Sequence, residues 1–279
     1  MQVIYNDVAE NFCEWNYLSE IVNFLTPKLS DEYILHVACF SQECTNNKNI
    51  KFIEGKKNII IGTSDEYMED VYPVYKEKAH AIFKQYLLPH QEIDNIYSFP
   101  LGYNKKHILS ENKSLQERSV NAFFSGHMSS ANRFNHMRPL IEAFENDRPD
   151  KLEIFITNGF NLGFDSLKYS QKLYNSKIAI CPPGNVSIET FRLYEAMRSG
   201  CVVVSPTLPK TDIYKNVNIV EVDDWNNNAA KTVIDLLEDE NKLVKIKEGI
   251  DKDWKEIFSP EAAANRILNK LNELLSTSK

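Results

Sequence analysis

The stretch CPPGNVSIETFRLYEAMRSGCVVVSP, residues 181–206, decides how this chain is read. It continues the apolar run KIAI, so a strand closes at Pro182-Pro183-Gly184-Asn185, a rigid turn whose glycine suits a positive φ or a close backbone approach. A helix expected to open near Ser187 then carries Arg192 and Glu195 three residues apart on one face, and the valines after Cys201 make the next strand. Strand, loop, helix, strand is the repeating unit of a parallel α/β sheet, with the loop and the helix N-terminus at its carboxyl edge. Free N–H groups and the positive end of the helix dipole favour a phosphate there. Arg192 adds a forked permanent charge, and an ionised Glu195 accepts hydrogen bonds from paired sugar hydroxyls. These features describe a nucleotide or sugar-phosphate pocket. Read alone, Arg192 and Glu195 equally make a surface ion pair, and the Pro-Pro-Gly turn ordinary punctuation.

Working outward, the same alternation continues on both sides. From about residue 118, NAFFSG, LEIFIT, KIAICP, CVVVSP and NVNIVEV read as strands, while ANRFNHMRPLIEAFEN and SLKYSQKLYNS read as helices. Right-handed crossovers wind such units into a Rossmann-like domain. Before it, FCEWNYLSEIVNFL places Trp15, Leu18, Val22 and Leu25 at helical spacing and stops at Pro27, EYILHVACF and KKNIIIG read as buried strands, and VYPVYKEKAHAIFKQYLL reads as helical. Two helical patterns close the chain, the last from about Ala262 to Leu275. The expected fold is α/β with two Rossmann-like domains, over residues 1–115 and 116–260, and a terminal helix over 261–279 packing back on the body.

A chain of 279 residues is long enough for two such domains, and 43% hydrophobic residues support folded cores. The net charge of −7 gives no footprint for a nucleic-acid backbone, so none is expected as a partner. The five cysteines form no CxxC pair and their number is odd; reduced thiols are expected, with Cys181 and Cys201 acting as small buried apolar residues. No apolar run approaches the ~20 residues of a membrane span, and MQVIYNDVAENF lacks the basic and apolar regions of a leader. A cytoplasmic location follows as an expectation, with peripheral contact at the inner face of the membrane left open. The histidines show no metal-ligand spacing and no DxD pair is present, so no metal cofactor is expected.

CPPG, RLYEA and SGCVVV together resemble the exostosin-type glycosyltransferases of the GT-B fold, and their bacterial relatives of surface-polysaccharide assembly. SFPLGY (98–103), FFSG (123–126) and Arg133 fall in the order that family shows, and GTSDEY resembles a segment at the cleft edge of its first domain. The resemblance is carried mostly by residues 118–206. It implies two Rossmann-like domains whose sheets face a cleft, with the second holding an activated donor, Arg192 and Arg133 on its phosphates, and Glu195 on the ribose. With the loops around them, the expected donor-binding set is Gly126, His127, Arg133, Pro183, Gly184, Asn185, Thr190, Arg192 and Glu195. Asp65 and Glu66 follow the strand NIIIG at a carboxyl end, and one of them is a candidate general base for an acceptor hydroxyl, with a helix N-cap as the plain alternative. Two positions depart from related patterns: Ser187 stands eight residues before Glu195, where many sugar-nucleotide enzymes have glutamate, and KQY (84–86) replaces Arg-x-Tyr.

The function this implies is transfer of a sugar from a sugar nucleotide or sugar diphosphate to a hydroxyl of a cell-surface glycan, free or lipid-linked, without a metal. A donor such as phosphoribosyl diphosphate would use the same arginine. An epimerase, a hydrolase or a non-catalytic sugar-phosphate-binding subunit are the competing classes, because fold does not fix reaction.

Overall fold

A computed structural model describes residues 1–8, 11–40, 50–66, 73–109, 113–128, 130–147, 151–159 and 162–277. The chain forms two compact units: residues 1–105, 209–215 and 255–279 make the first, and 106–208 with 216–254 the second.

The first unit opens with β1 (Gln2–Tyr5) and α1 (Trp15–Leu25), then β2 (Tyr33–Cys39) and β3 (Lys57–Thr63). After the short α2 (Pro73–Lys76) come β4 (Ala81–Lys84) and β5 (Ile96–Ser98). The five strands pair in parallel in the order β1-β2-β3-β4-β5. All seven residues of β2 are buried, as a near-continuous apolar run predicts for a strand covered on both faces. Ala38, Ile60 and Ile82, one from each of the three inner strands, and Ile96 of the edge strand β5 pack with Tyr75 and Leu87 into one apolar cluster. In α1 the stripe Tyr17, Leu18, Ile21, Val22 and Leu25 is buried, and the helix ends before Pro27 as expected. Gly102, at φ +75°, lies so close under the Tyr17 ring that a Cβ there would sit 2.2 Å from it. That contact is why PLGY carries a glycine.

VYPVYKEKAHAIFKQYLL departs from its helical reading. Its described part holds only the four residues of α2, then a turn, and Ala81–Lys84 is a fully buried strand. Four residues are too short to show a period, and the charged neighbours of AIFK mimic a helix's polar face. Tyr75 and Phe83 are core residues; Tyr72 lies outside the described residues.

The second unit runs β6 (Val120–His127), α3 (Ala131–Asp147), β7 (Leu152–Thr157), α4 (Ser166–Tyr174), β8 (Ser176–Ile180), α5 (Phe191–Arg198), β9 (Val202–Pro206), β10 (Val220–Val222), α6 (Trp225–Glu238) and α7 (Glu240–Asp253). These are the expected strands and helices in the expected order, with one shift: α5 starts at Phe191, not near Ser187. Residues 184–190 stay in a loop because the Ser187 carbonyl accepts from the Gly184 N–H (2.7 Å), the Ser187 hydroxyl from the Glu189 N–H (3.1 Å), and Thr190 is extended. Arg192 therefore lies in the first turn of α5. The parallel sheet is ordered β7-β6-β8-β9-β10.

Three helices, not two, follow β10. The last, α8 (Pro260–Thr277), belongs to the first unit, where it packs beside α1. The Tyr17 hydroxyl donates to the Phe258 carbonyl (2.9 Å) just ahead of it, and Arg266 on α8 donates to the Ser98 carbonyl (3.3 Å). Cys39, Cys181 and Cys201 are buried free thiols, and burial pushes Cys181 up to about 12 and Cys201 up to about 11, so both stay protonated. Cys44 lies outside the described residues. Among the described residues, no helix is long and apolar enough to cross a membrane.

Candidate functional site

In the second sheet the chain lays β7 on one side of β6 and then crosses to put β8 on the other. A parallel sheet whose order reverses in this way opens a crevice at the carboxyl ends of the two central strands, because their following loops leave in opposite directions. The sequence-expected donor residues come from the loops and helices around that crevice. Gly126 and His127 end β6, Arg133 is in the first turn of α3, Pro183, Gly184 and Asn185 follow β8, and Thr190, Arg192 and Glu195 open and line α5.

Arg192 reaches back across the end of β6. Its Nε and Nη2 donate to the Ser125 carbonyl at 3.1 and 2.7 Å, and its guanidinium carbon lies 4.7 Å from the centre of the Phe124 ring. Gly126 makes the path possible: a Cβ there would stand 2.6 Å from Nη2. The remaining nitrogen, Nη1, is buried and has no hydrogen-bond partner among the described residues. The Thr190 hydroxyl at the N-cap of α5 is in the same condition; it caps no backbone N–H of its own helix. A fixed cation with one spare nitrogen, and a hydroxyl beside the exposed N–H groups of a helix, form a cradle for an anion.

The other expected residues divide. Arg133 is buried, and its guanidinium donates from Nε to the Pro183 carbonyl (3.0 Å) and from Nη1 to the His127 carbonyl (3.1 Å), tying the loop after β8 to the loop after β6. Glu195 is buried and accepts from the Tyr169 hydroxyl of α4 at 2.8 Å. Burial, then the charge of Glu195, holds the Tyr169 phenol well above its ordinary range, so it remains the donor of that pair. Pro183 and Gly184 are buried in the turn, and Asn185 is exposed at its tip.

In the first unit Asp65 and Glu66 follow β3 through Ser64, which has the left-handed backbone (φ +61°) and whose N–H donates to the Gln85 Oε1 (3.0 Å). Asp65 is buried against Lys84, Oδ2 to Nζ 3.0 Å, and Lys84 also donates to the carbonyls of Gln85 (3.4 Å) and Tyr86 (3.3 Å). Both members of the pair are almost wholly shielded, with side-chain exposures of 3% and 1%. Glu66 is half-buried.

Three polar groups near these edges escaped sequence reasoning. Tyr169 sits on an amphipathic helix like any core aromatic; Glu189, buried beside the Tyr194 hydroxyl (3.5 Å), lies in an irregular loop out of register with the glutamate eight residues before Glu195 that many sugar-nucleotide enzymes carry; Glu14, wholly buried at the start of α1, bears no motif. Among the described residues, no group of three or more His, Cys, Asp or Glu could hold a metal ion.

No family model matches the sequence, and no curated protein matches it. Solved structures do. TarM superposes with a TM-score of 0.56 at 12% identity, over 90% of this chain and 57% of that one. A variant of S. aureus TarM in complex with fondaparinux, an α-GlcNAc-glycerol and UDP gives 0.52 at 14%, over 92% and 59%. A glycosyltransferase from Rickettsia africae ESF-5 gives 0.52 at 13%, over 98% of this chain and 97% of that one. The chain thus spans less than two thirds of the TarM chains and nearly all of the Rickettsia chain. At these identities the likeness is one of fold: α/β and GT-B-like, with two parallel five-stranded sheets.

Proposed function

We propose that the protein is a glycosyltransferase that moves a sugar from a diphosphate-activated donor, of the sugar-nucleotide type, to a hydroxyl of a glycan acceptor. The observation that carries this reading is the pair of buried, partnerless donors, Arg192 Nη1 and Thr190 Oγ1, at the N-terminus of α5 beside the β6/β8 crevice. Such donors are costly to bury unless an anion completes them, so their ligand is a phosphate or diphosphate. The fold shared with glycosyltransferases, and the UDP bound by a TarM variant, support a nucleotide diphosphate in that place.

In this reading Arg192 and the α5 dipole stabilise the charge gathering on the departing diphosphate, without a metal ion. Arg133 sets the width of the crevice by holding both loops, and Tyr169 turns Glu195 so that its other oxygen serves a ribose hydroxyl. Of the two carboxylates after β3, Asp65 is committed to Lys84, and Glu66, the more accessible, is the proposed base. The exostosin-type assignment and a cell-surface glycan as acceptor rest on the sequence resemblance.

The test is a thermal-shift screen of the EDTA-treated protein against UDP, other nucleoside diphosphates, sugar nucleotides and phosphoribosyl diphosphate. Binding to the native state alone adds about 2.7 kcal/mol at a hundredfold excess over Kd. A shift with one donor class, lost in Arg192→Ala, is the expected result. An undiminished shift in that variant removes Arg192 from the site, and a shift restored only by Mg²⁺ overturns the metal-free mechanism.

A further inference from the structure

The pairing of β3 with β4 ends at Gly62 and Lys84, and the Gln85 N–H, one residue on, still donates to the Gly62 carbonyl (3.0 Å). Beyond that point β3 turns away through Ser64, and the Ser64 N–H is taken by the Gln85 side chain, at Oε1 (3.0 Å). The same amide donates from Nε2 to the carbonyls of Pro100 (3.4 Å) and Leu101 (3.2 Å), in the loop after β5. Only one orientation of the amide serves these three groups, because Oε1 cannot donate and Nε2 cannot accept. Gln85 is fully shielded from solvent, so its polar atoms are spent on the backbone of two separate loops.

Those loops differ in what else holds them. The one after β5 is fixed independently: Gly102 lies under the Tyr17 ring, the Tyr103 ring meets that of Tyr17 edge-on at 5.4 Å, and the Tyr103 hydroxyl donates to the Glu20 Oε1 (2.5 Å). The turn after β3 takes the left-handed backbone at Ser64 (φ +61°), and the segment after the neighbouring β4 does so at the bulky, buried Tyr86 (φ +53°). Neither is glycine, so both turns carry strain, which persists only where surrounding groups over-determine the backbone. Here those groups are Gln85, on the Ser64 N–H, and Lys84, which donates to the Gln85 and Tyr86 carbonyls and pairs with Asp65. We propose that Gln85 is a positioning residue that locks the Ser64–Glu66 turn to the Pro100–Tyr103 loop, so that the two form one rigid wall for the acceptor. That the wall receives a glycan, and that Glu66 on it takes the hydroxyl proton, rests on the transferase reading. The lock itself does not.

The experiment uses the whole chain and begins without substrate. In the parent, the Ser64 N–H should exchange with solvent as slowly as the Gln85 N–H, although Ser64 is only half-buried. Gln85→Met keeps the length of the side chain and removes all three bonds. It should speed Ser64 exchange about tenfold, the scale of one hydrogen bond, and speed Leu101, Gly102 and Tyr103 with it, while Ile60 in mid-strand stays as in the parent. Fast exchange at Ser64 in the parent overturns the proposal, and so does a change in the variant confined to Ser64. The first result needs no variant, so it decides even if Gln85→Met does not fold. With the sugar nucleotide that the thermal-shift screen returns and mixed oligosaccharides as acceptor, Gln85→Met should leave the donor KM unchanged and lower kcat about a hundredfold, the scale of a misplaced reacting group. An unchanged kcat, or a donor KM that worsens in step with it, overturns the positioning role. A failed donor screen leaves the exchange measurements intact and bears only on the transferase reading.

Discussion

The two sheets are both parallel and five-stranded, yet they use their carboxyl edges in opposite ways. In the second sheet the order reverses between β6 and β8, and the edge there carries donors left open, Arg192 Nη1 and Thr190 Oγ1. In the first sheet the strands follow one another without reversal, and the edge of β3 and β4 is filled by the protein's own charges, Asp65 on Lys84, with Glu14 sealed beside them. A reversal opens a crevice in which a ligand can bind; in an unreversed sheet the adjacent loops run side by side. The difference teaches that a carboxyl-edge position alone does not make a residue a ligand-binding group, and that its own partners decide.

The comparison breaks most easily at Lys84. Lys84→Met should cost about 3–5 kcal/mol of stability by removing the buried counter-charge of Asp65, whereas Asp65→Leu/Lys84→Met should recover most of it. Urea unfolding of the three proteins measures this, and a mild single-variant loss would place the pair in contact with water. Next in size is the pH dependence from Glu14. Its folded value lies above the unfolded one, so its stabilisation is complete below about pH 4.5 and lost as pH rises through about 7, a fall on the order of 3 kcal/mol. Glu14→Gln should flatten that part of the Tm profile.

The second unit should respond in binding as well as in folding. Arg192→Ala should weaken donor affinity by about 2–3 kcal/mol, the scale of a charged hydrogen bond, and should also lower Tm without ligand, because the Ser125 carbonyl loses both of its bonds to the guanidinium. Gly126→Ala sharpens the point, since its added methyl would stand 2.6 Å from the Arg192 Nη2 and 3.1 Å from the Phe124 ring, pushing the guanidinium aside. Titration calorimetry should find donor affinity reduced by a smaller margin than in Arg192→Ala. The smallest effect belongs to Thr190→Val, about 1 kcal/mol of affinity, restored in Thr190→Ser.

How far the sequence could be read follows from the same physics. The β8–loop–α5–β9 passage was legible because β-branched runs, a Pro-Pro-Gly stop and a 3.6-residue stripe are local signals, each written within about ten residues. Arg192 was read from its helix and Gly126 from the family resemblance of FFSG, and the structure places them against each other. The short strand Ala81–Lys84 was not legible, because four residues between charged neighbours show no period of their own.

What the sequence by itself determined is the α/β class, the order of elements in the second unit and the helix that carries Arg192. Burial of one face is a periodic demand that a chain must meet locally. What only the tertiary structure decided is which polar groups are spent and which are left open. Arg133 is consumed by a carbonyl fifty residues away, Asp65 by Lys84 on the next strand, and Glu14 is buried with neither carboxylate oxygen hydrogen-bonded among the described residues. Hydrogen-bond partners are assigned by packing between distant segments, so no spacing along the chain announces them.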